Sequence, residues 1–577
     1  MFENFAWPLI DPSEIPRNKL VGIDFETVSL YDRTPIMVSF AWFSGRNGKT
    51  SSVVYDCRNI TEKRKRAIFK FLDECHSLVA HNFSFELDVL NKWGYDTRKL
   101  FGKIEDSYIA IGVYNSESDK GLKENAYLVG MKLGTYDEAS KASWLEFVEY
   151  CREDSICCLK LIDFMRPFMD DRKVGNAYEM EIRLIWEIVK IRDNGFYINV
   201  PYLGELKVEV ENFLNEKYVE LSTLAGRAIN FKSSDQLIDV IYNEFGAIPN
   251  SDFMTPGGKS GIRKPGTNEA AINDLVKRYK ETRIADFCET LLLHKEYSKF
   301  LSTYLSDKFM KFIGPDSRIR TNLNQLGTAT SRMSSNDPNL LNIPKSGIGF
   351  NMRKAFRAAP GKMLLQIDYS QIEYRLIVDA MQDPKLIEAY IAGEDFHTAT
   401  AKAMSVDRTL GKKLNFTLLY GGGVKRLAAT MGISEDLARE YYNIYHGGLP
   451  YLSKLYDQLE AYAYMTGGMR LMSGRFRDFS YYIENKPYDV KRLAVNTLIQ
   501  GNAGELIKTA MIRISDILPS DVKMLLQIYD ELIFEGDEKI LREIAPDIQD
   551  IMENTMKFSV PIVAEPKIIE SWYAAKD

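Results

Sequence analysis

Two segments far apart in this chain each place a carboxylate at the end of a short apolar run. Asp368 follows the run LLQI at 364–367, and Asp530 follows LLQIY at 525–529. Short apolar runs bounded by polar residues are typical of buried strands, so we expect both carboxylates at one edge of a sheet. Two aspartates placed in this way can hold two divalent cations about 3.5–4 Å apart, an arrangement that serves phosphoryl transfer.

The composition is that of an ordinary globular protein with more than one core. A chain of 577 residues exceeds the size of a single core and predicts several structural units. The net charge of −6 argues weakly against nucleic acid binding, but a basic cleft can coexist with acidic outer faces. No apolar run is long enough to span a bilayer, and the N-terminus lacks the pattern of a signal peptide. The six cysteines show no paired metal spacing, so reduced thiols and a cytoplasmic location are expected.

A helix with a charged beginning and an aromatic end is predicted between the two acidic segments. Arg408, Lys412, Phe416 and Tyr420 recur every four residues and can therefore line one helix face. Two long cations near a helix N-terminus suit an anion such as a triphosphate. The glycines at 421–423 predict the end of the helix. Gly411 is unusual inside a helix, where it costs about 1 kcal/mol relative to alanine.

The N-terminal third contains a second set of acids. Asp24 and Glu26 lie two apart in the strand-like run LVGIDFET at 20–27, so their side chains should share one face. Glu86 ends the segment NFSFE at 82–86, and Asp154 lies four residues after Tyr150. Residues 1–170 mix short apolar runs with helical segments, residues near 175–245 and 297–311 are predicted to be helical, and a basic Pro/Gly/Ser loop is predicted at 249–268.

Together these segments resemble the motifs of family A DNA polymerases, the bacterial DNA polymerase I family. The matching segments are DYSQIEYR at 368–375, YDELIFE at 529–535, R-x3-K-x3-F-x3-YG at 408–421, TATSRMSSNDPNLLNIP at 328–344 and R-x3-N-x3-QG at 492–501. They occur in the order and spacing of that family and span nearly the whole chain. The resemblance implies a right-hand polymerase preceded by a 3′→5′ exonuclease.

The resemblance implies roles for residues of the polymerase part. Asp368 and Asp530 would bind two Mg²⁺ ions, which Mn²⁺ can replace, and Glu531 and Lys412 would complete the catalytic group. The residues implied to bind the incoming dNTP are Arg408, Lys412, Phe416, Tyr420, Glu373, Gln371 and His397. Those implied to bind primer-template DNA are Arg332, Asn496, Gln500, Arg492 and Tyr529. Tyr529 stands where the family usually has histidine.

By the same resemblance, Glu373 is expected to lie beneath the sugar of the incoming nucleotide. A 2′-hydroxyl would clash with it there, so ribonucleotides would be excluded. Donors such as Arg332, Asn496 and Gln500 can test the shape of a base pair from the minor groove, because every pair presents acceptors there. Since Asn496 and Gln500 are four residues apart, we expect them on one helix face.

The N-terminal acids resemble the proofreading exonuclease of the same family. The implied ligands of two Mg²⁺ or Mn²⁺ ions are Asp24, Glu26, Glu86 and Asp154, and Tyr150 would position the attacking water. The family usually has aspartate where this chain has Glu86, so retention of proofreading depends on whether the longer side chain still reaches the metal. Three neighbouring polar residues are expected to cap or pair structurally: His81, Asp88 and Asp106.

The expected fold is multidomain α/β and α+β, with an RNase H-like exonuclease domain followed by a right-hand polymerase. The predicted ranges are exonuclease 1–174, thumb and connecting helices 175–318, first part of the palm 319–385, fingers 386–487 and second part of the palm 488–577. We expect the chain to begin at the exonuclease, without a 5′ nuclease domain. This suggests a monomeric phage replication enzyme acting in the host cytoplasm on primer-template DNA and dNTPs, with no membrane partner.

Three other functions were weighed against this interpretation. A single-subunit RNA polymerase shares the palm, but Glu373 and the exonuclease segments argue against it. A catalytically silent DNA-binding protein is disfavoured by the presence of Asp368, Asp530 and Lys412. A nuclease with a decayed polymerase domain is disfavoured because the polymerase motifs are complete.

Overall fold

The computed structural model describes residues 6–7, 10–29, 32–45, 48–255, 261, 263–344 and 350–573. Six residues of the predicted loop at 249–268, namely 256–260 and 262, lie outside this description. The chain forms two compact units. The first contains 1–194, 321–341 and 364–568, and the second contains 195–320, 342–363 and 569–577. No helix in the described part of the chain combines the length and the apolar composition needed to cross a membrane.

The N-terminal part of the first unit is built on a six-stranded mixed sheet in the order β1-β4-β3-β2-β5-β6. Its strands are β1 Ala6–Trp7, β2 Leu20–Thr27, β3 Pro35–Phe43, β4 Thr50–Asp56, β5 Ser77–Ala80 and β6 Ile104–Asp106. β2 pairs antiparallel with β3 and parallel with β5. The helices of this part are α1 Glu62–Glu74, α2 Ser84–Trp93, α3 Ser107–Tyr114, α4 Leu122–Asn125, α5 Tyr136–Ala139, α6 Trp144–Arg172 and α7 Gly175–Asn194.

Helix α6 lies directly against β2, and this contact brings two acidic segments together. The helix begins with a capping box in which Ser143 and Glu146 satisfy each other's backbone amides. At the crossing, a Cβ on Gly22 would lie 2.2 Å from the carbonyl oxygen of Ser155. Only glycine at this position of the strand allows the helix backbone to approach so closely. Residues of α6 near Ser155 are therefore held over the strand that carries Asp24.

The second unit is mainly helical. Its elements are β7 Phe196–Tyr197, α8 Val200–Ala225, α9 Ser234–Ile238, α10 Glu269–Arg278, α11 Arg283–Tyr304, α12 Asp307–Met310 and β8 Arg318–Ile319. β7 pairs with β8, so the segment from 195 to 320 begins and ends at one place. The helices predicted near 175–245 are present as α7, α8 and α9. The helix predicted at 297–311 is the second half of α11 followed, after Leu305, by the short α12.

The remainder of the first unit surrounds a four-stranded sheet in the order β14-β15-β11-β16. The strands that follow β8 are β9 Asn322–Asn324, β10 Ser334–Asn336, β11 Met363–Tyr369, β12 Gly468–Arg470, β13 Phe476–Asp478, β14 Lys523–Ile528, β15 Glu531–Gly536 and β16 Ala564–Ile569. The helices are α13 Ile372–Met381, α14 Pro384–Ile391, α15 Phe396–Met404, α16 Arg408–Leu418, α17 Val424–Met431, α18 Glu435–Gly448, α19 Pro450–Thr466, α20 Ser480–Asn485, α21 Val490–Asn496, α22 Asn502–Ser515 and α23 Glu538–Asn554.

The core of this part follows from the sequence pattern. Leu364, Leu365 and Ile367 are fully buried in β11, and both apolar runs predicted as buried strands are strands.

All six cysteines are buried and unbonded to one another, as expected for reduced thiols.

Candidate active sites

The two aspartates that the sequence singles out lie on neighbouring strands of the four-stranded sheet. Asp368 is the penultimate residue of β11, and Asp530 forms the tight turn between β14 and β15. The backbone amide of Tyr369 donates a hydrogen bond to the carbonyl oxygen of Asp530 at 3.1 Å, which fixes the turn beside the end of β11. The expectation that both residues meet at one sheet edge is therefore met. Glu531, directly after Asp530, is buried with 2% of its surface exposed.

The turn between the strands has a strained backbone at Tyr529, whose φ is 56°. A positive φ is uncommon for a bulky residue, so surrounding structure must hold it. The Nε2 of Gln527 donates to the carbonyl oxygen of Tyr529 at 2.6 Å. The Tyr529 ring is 43% exposed and lies 5.7 Å from the guanidinium carbon of Arg332. A residue implied to bind DNA therefore stands in the same turn as one of the carboxylates.

Glu373 lies in the first turn of α13, close behind β11, and pairs with Arg332. Burial raises the pKa of the Glu373 carboxyl, the Arg332 guanidinium opposes that rise, and the charge of Asp530 adds to it. Glu373 is therefore electrostatically coupled to the aspartate turn. Gln371, which precedes the helix, has a positive φ of 55° and a buried side-chain oxygen. The sequence analysis did not predict the pair between Glu373 and Arg332.

The predicted nucleotide helix is α16. It begins at Arg408, where Asp407 caps it by accepting from the amides of Thr409 and Leu410. The guanidinium of Arg408 lies 3.2 Å from Asp395, the residue that caps α15. The helix N-terminus thus carries a cation whose position is set by the neighbouring helix.

The middle of α16 packs closely on α15. A Cβ on Gly411 would lie 2.9 Å from the Cβ of Ala401, and this contact explains the glycine that the sequence analysis found unusual. The Nδ1 of His397, in α15, lies 3.1 Å from the side-chain nitrogen of Asn415, which is within hydrogen-bonding distance. Burial lowers the pKa of His397, and the nearby charges of Lys412 and Arg408 lower it further, although Asp395 opposes them. These effects together favour the neutral form of the imidazole.

The C-terminal half of α16 presents an aromatic surface. Phe416 is 59% exposed although it is a large apolar residue, and its ring lies 5.8 Å from that of His397. The Nζ of Lys412 lies 5.9 Å from the Phe416 ring. The helix ends at Leu418, two residues before Tyr420, which is half-buried against the helical core. An exposed phenyl ring beside the ammonium of Lys412 suits a ligand that combines a flat apolar group with negative charge.

The residues expected to contact the minor groove lie on a continuous helical rod with an irregular centre. α21 ends at Asn496, a π-helical segment follows at Thr497–Gly501, and α22 continues from there. Gln500 lies within the π segment and Arg492, paired with Asp489, lies within α21. Short π segments inside α-helices are found frequently at functional sites. The sequence analysis had predicted regular helix for this stretch.

The second acidic site forms where α6 crosses β2. One side-chain ligand atom from each of Asp24, Glu26 and Cys151 lies within 4.8 Å of the others. Glu86, at the start of α2, is 3% exposed. Burial raises the pKa of Glu86 above its ordinary range, and the neighbouring Asp24 contributes, which shows that these two carboxyls are close. Burial, with Asp24 as a second cause, raises the pKa of Glu26 to about 9.

The donor set of this site suits hard divalent cations. One buried oxygen of Asp24, Oδ2, and one of Glu86, Oε2, accept no hydrogen bond from any described residue. Buried acceptors of this kind are costly unless they are paired, and carboxylate oxygens are the preferred ligands of Mg²⁺. The carboxylates of Asp24, Glu26, Glu86 and Asp154 could therefore hold metal ions at this position. The carboxylates of Asp368 and Asp530 offer the same chemistry at the other site.

Asp154 and Tyr150 complete the second site, together with a residue that the sequence analysis missed. Burial raises the pKa of Asp154, and Lys123 together with Tyr150, one turn earlier on α6, opposes that rise. The ammonium of Lys123, in α4, binds both carboxylate oxygens of Asp154. Lys123 had no distinguishing signal in the sequence, because a lysine in a short polar helix is ordinarily a solvated surface residue.

The neighbouring polar residues behave as predicted. Asp106 caps α3 and also accepts from the amides of Asn82 and Phe83. Asp88 pairs with Arg192, and His81 contacts the hydroxyl of Ser107 at 2.9 Å. A cavity of about 360 Å³ with a mixed polar and apolar lining lies beside the N-terminal end of α2, where Asn82, Ser84 and Phe85 contribute to its wall.

Comparison with known proteins decides which family the chain belongs to. The family model for DNA polymerase family A matches residues 200–574. The chain belongs to DNA polymerase family A. It is 30% identical to DNA polymerase I of Helicobacter pylori over 534 residues. This alignment covers 89% of this chain and 57% of that protein. It is 31% identical over 447 residues to the thermostable DNA polymerase I of Thermus filiformis, which covers 75% of this chain and 52% of that protein.

The chain spans little more than half the length of these family A relatives. Its fold is similar to that of a solved structure described as the POL domain of Pol1 from M. smegmatis in complex with DNA primer-template and dNTP. The TM-score is 0.83, the overlap covers 96% of each chain, and the sequences are 23% identical. The mixed α/β multidomain architecture and the family expected from the motifs are therefore confirmed.

Proposed function

We propose that this family A protein is a template-directed DNA polymerase that adds dNTPs to a primer 3′ end. The observation that carries the proposal is the hydrogen bond from Tyr369 to Asp530, which holds the end of β11, and with it Asp368, beside the Asp530 turn. Two Mg²⁺ ions bound there would activate the primer 3′-oxygen and stabilise the leaving group. Glu531 is buried and supports this turn.

The nucleotide would bind along α16. Arg408 and Lys412 supply positive charge for the triphosphate, and the exposed ring of Phe416 supplies a flat apolar surface for the sugar and base. His397, beside Asn415, would donate a hydrogen bond to a phosphate oxygen. Tyr420, just after the end of the helix, and Gln371, just before α13, would lie at the two borders of this nucleotide site.

Sugar selection and DNA contact would meet at one ion pair. Glu373 would lie under the sugar and exclude a 2′-hydroxyl. Arg332 pairs with Glu373 and also lies near the Tyr529 ring, so the proposed minor-groove contact and the proposed sugar selection would depend on one another. Asn496 and Gln500 would contact the newest base pair from the helical rod, and Arg492 would lie one turn earlier.

The partner molecules follow from the same assignment. The M. smegmatis POL domain was solved with primer-template DNA and dNTP, and we propose the same ligands here. The layout would be an exonuclease domain at 1–174, a thumb at 175–318, fingers at 386–487 and a palm built from 319–385 and 488–577. Helix α7, the first helix of that thumb range, belongs to the first of the two compact units. A monomeric enzyme of phage replication is the setting we propose.

A second activity, 3′→5′ proofreading, is favoured by the buried acidic cluster of the N-terminal sheet. Asp24, Glu26, Glu86 and Asp154 would bind two metal ions, which would activate the attacking water. Tyr150 would orient that water from α6.

Primer extension on a labelled duplex, with and without dNTPs, tests both activities at once. Asp368→Ala is expected to abolish extension while duplex binding persists, because the carboxylate holds metal rather than DNA. Asp521→Ala is the matched control, since Asp521 is an exposed aspartate just before β14. Extension by the Asp368 variant within tenfold of the parent enzyme would remove the assignment of Asp368 as a metal ligand, and absence of extension by the unmodified protein would overturn the polymerase proposal.

A further inference from the structure

Lys123 occupies an unusual position for a lysine. Its Nζ binds both carboxylate oxygens of Asp154 and lies 4.2 Å from the centre of the Tyr150 ring. Only 26% of its side chain is exposed, and that of Asp154 is 7% exposed. A compact cation therefore contacts two of the residues that the proposed exonuclease would use for metal binding and water positioning.

Hydrogen bonds and apolar packing fix the backbone around Lys123. Helix α4 has four residues, and its buried Asn125 anchors the segment by donating to the carbonyl oxygens of Asp119 and Gly121 at 3.0 and 2.8 Å. Leu122 and Ala126, on either side, pack against Cys157 and Leu161 of α6. The backbone of α4 is therefore docked on the helix that carries Asp154, and the freedom that remains to Lys123 is in its four-carbon side chain.

The charges around Lys123 are strongly unbalanced. Asp24, Glu26 and Asp154 are largely buried, and Lys123 is the cation that opposes the rise of all three carboxyl pKa values. Arg33 plays the corresponding part for Glu86. Buried carboxylates need a positive partner, and for three of the four this chain supplies the same ammonium.

We propose that Lys123 is an internal cation that takes the place of a metal ion on Asp154 and must leave that carboxylate when metal binds. Lys123 thereby weakens the metal affinity of the exonuclease site and stabilises the site when metal is scarce. This inference rests on the proposed exonuclease function. It concerns metal binding rather than hydrolysis.

The structure offers a destination for the displaced ammonium. Glu153, the residue before Asp154 on the same helix, is half-buried and offers a second carboxylate one position away. A rotation of the lysine side chain toward Glu153 would free both oxygens of Asp154 without moving α4. A lysine suits this exchange because its ammonium is a point charge on a flexible stem.

The test measures Mn²⁺ binding by electron paramagnetic resonance and calorimetry. The full chain carries Asp368→Ala and Asp530→Ala, which removes the polymerase metal site, and binding lost on adding Asp24→Ala is assigned to the exonuclease site. Lys123→Met in this background is expected to lower the Kd for Mn²⁺ at that site by about tenfold or more, a size typical for groups that contact metal ligands. Its melting temperature in EDTA should fall, and Mn²⁺ should restore it.

Two further variants keep the result interpretable. Lys123→Arg retains the charge and should bind Mn²⁺ no more tightly than the parent. Lys141→Met, which removes an exposed lysine, should change nothing. If Lys123→Met fails to fold, Lys123→Gln serves in its place. Tighter binding without 3′→5′ degradation would support this inference and count against proofreading. Degradation by the otherwise unmodified protein with unchanged Mn²⁺ affinity in the Lys123 variants would overturn the inference alone. Absence of Mn²⁺ binding at the site in every variant would overturn both.

Discussion

Glu181→Gln is expected to destabilise the first unit by a large fraction of its folding free energy. Glu181 of α7 belongs to a buried charge quartet with Arg475, Glu505 and Lys508. Arg475 and Lys508 both bind Glu181, Lys508 at 2.6 Å, and Arg475 also lies 3.5 Å from Glu505. All four side chains are at most 1% exposed, so water cannot replace a lost partner.

The magnitude follows from the charge balance of the quartet. With two carboxylates and two cations the quartet is neutral, and Glu181→Gln leaves an uncompensated positive charge in a dry interior. Breaking a buried pair in this way costs about 3–5 kcal/mol. That is a large share of the roughly 5–15 kcal/mol that separates folded from unfolded domains. An exposed pair would cost no more than about 1 kcal/mol.

The double variant Glu181→Gln/Lys508→Met separates charge imbalance from lost contacts. It restores neutrality by leaving Arg475 opposite Glu505, so it should be less destabilised than the sum of the two single variants. Residues in one buried network typically show coupling of about 0.5–3 kcal/mol, and we expect a value at the upper end. Glu179→Gln, an exposed residue of the same helix, is the control.

Urea unfolding followed by circular dichroism gives the free energies, provided that the transition midpoint shifts without a change in slope. Because the chain has two compact units, hydrogen exchange of peptides from α7 and α22 is needed to assign the change to the first unit. A cost below about 1 kcal/mol for Glu181→Gln, or strict additivity in the double variant, would refute the argument from buried charge.

Three further predictions concern the sites and the pH dependence of stability. Glu373→Ala should raise ribonucleotide incorporation relative to dNTPs, and Phe416→Tyr should raise dideoxynucleotide incorporation, because a new hydroxyl can replace the missing 3′-OH; unchanged incorporation ratios would contradict both roles. Glu86→Asp should change the rate of 3′-end degradation, upward if Glu86 is a weakened ligand and downward if the site has adapted to the longer acid, while extension stays constant. Burial lowers the pKa of Lys508 from 10.5 to about 8. Between these two pH values the unfolded state binds more protons than the folded state, so this group increases the free energy of unfolding as pH rises. Lys508→Met should lack this contribution when the free energy of unfolding is plotted against pH.

Local pattern was enough to predict the parts of the sites that lie within one element. The apolar runs before Asp368 and Asp530 predicted strands, and the four-residue spacing from Arg408 to Phe416 predicted α16. These features follow from side-chain periodicity and capping, which depend on residues close in the chain. The meeting of Asp368 and Asp530 at one sheet edge was also predictable, because both segments had the same strand pattern with an acid at the end.

The partners of these residues depended on the tertiary structure. Arg332 pairs with Glu373, Lys123 with Asp154, and Lys508 with Glu181, 327 positions away. No periodicity relates such residues, since each contact exists only because separate helices and strands pack together. The π segment after Asn496 and the glycine at 411 have the same origin, because an irregular turn and a close helix crossing are set by neighbouring elements. The sequence alone determined which groups could do chemistry, and packing determined which charges face them.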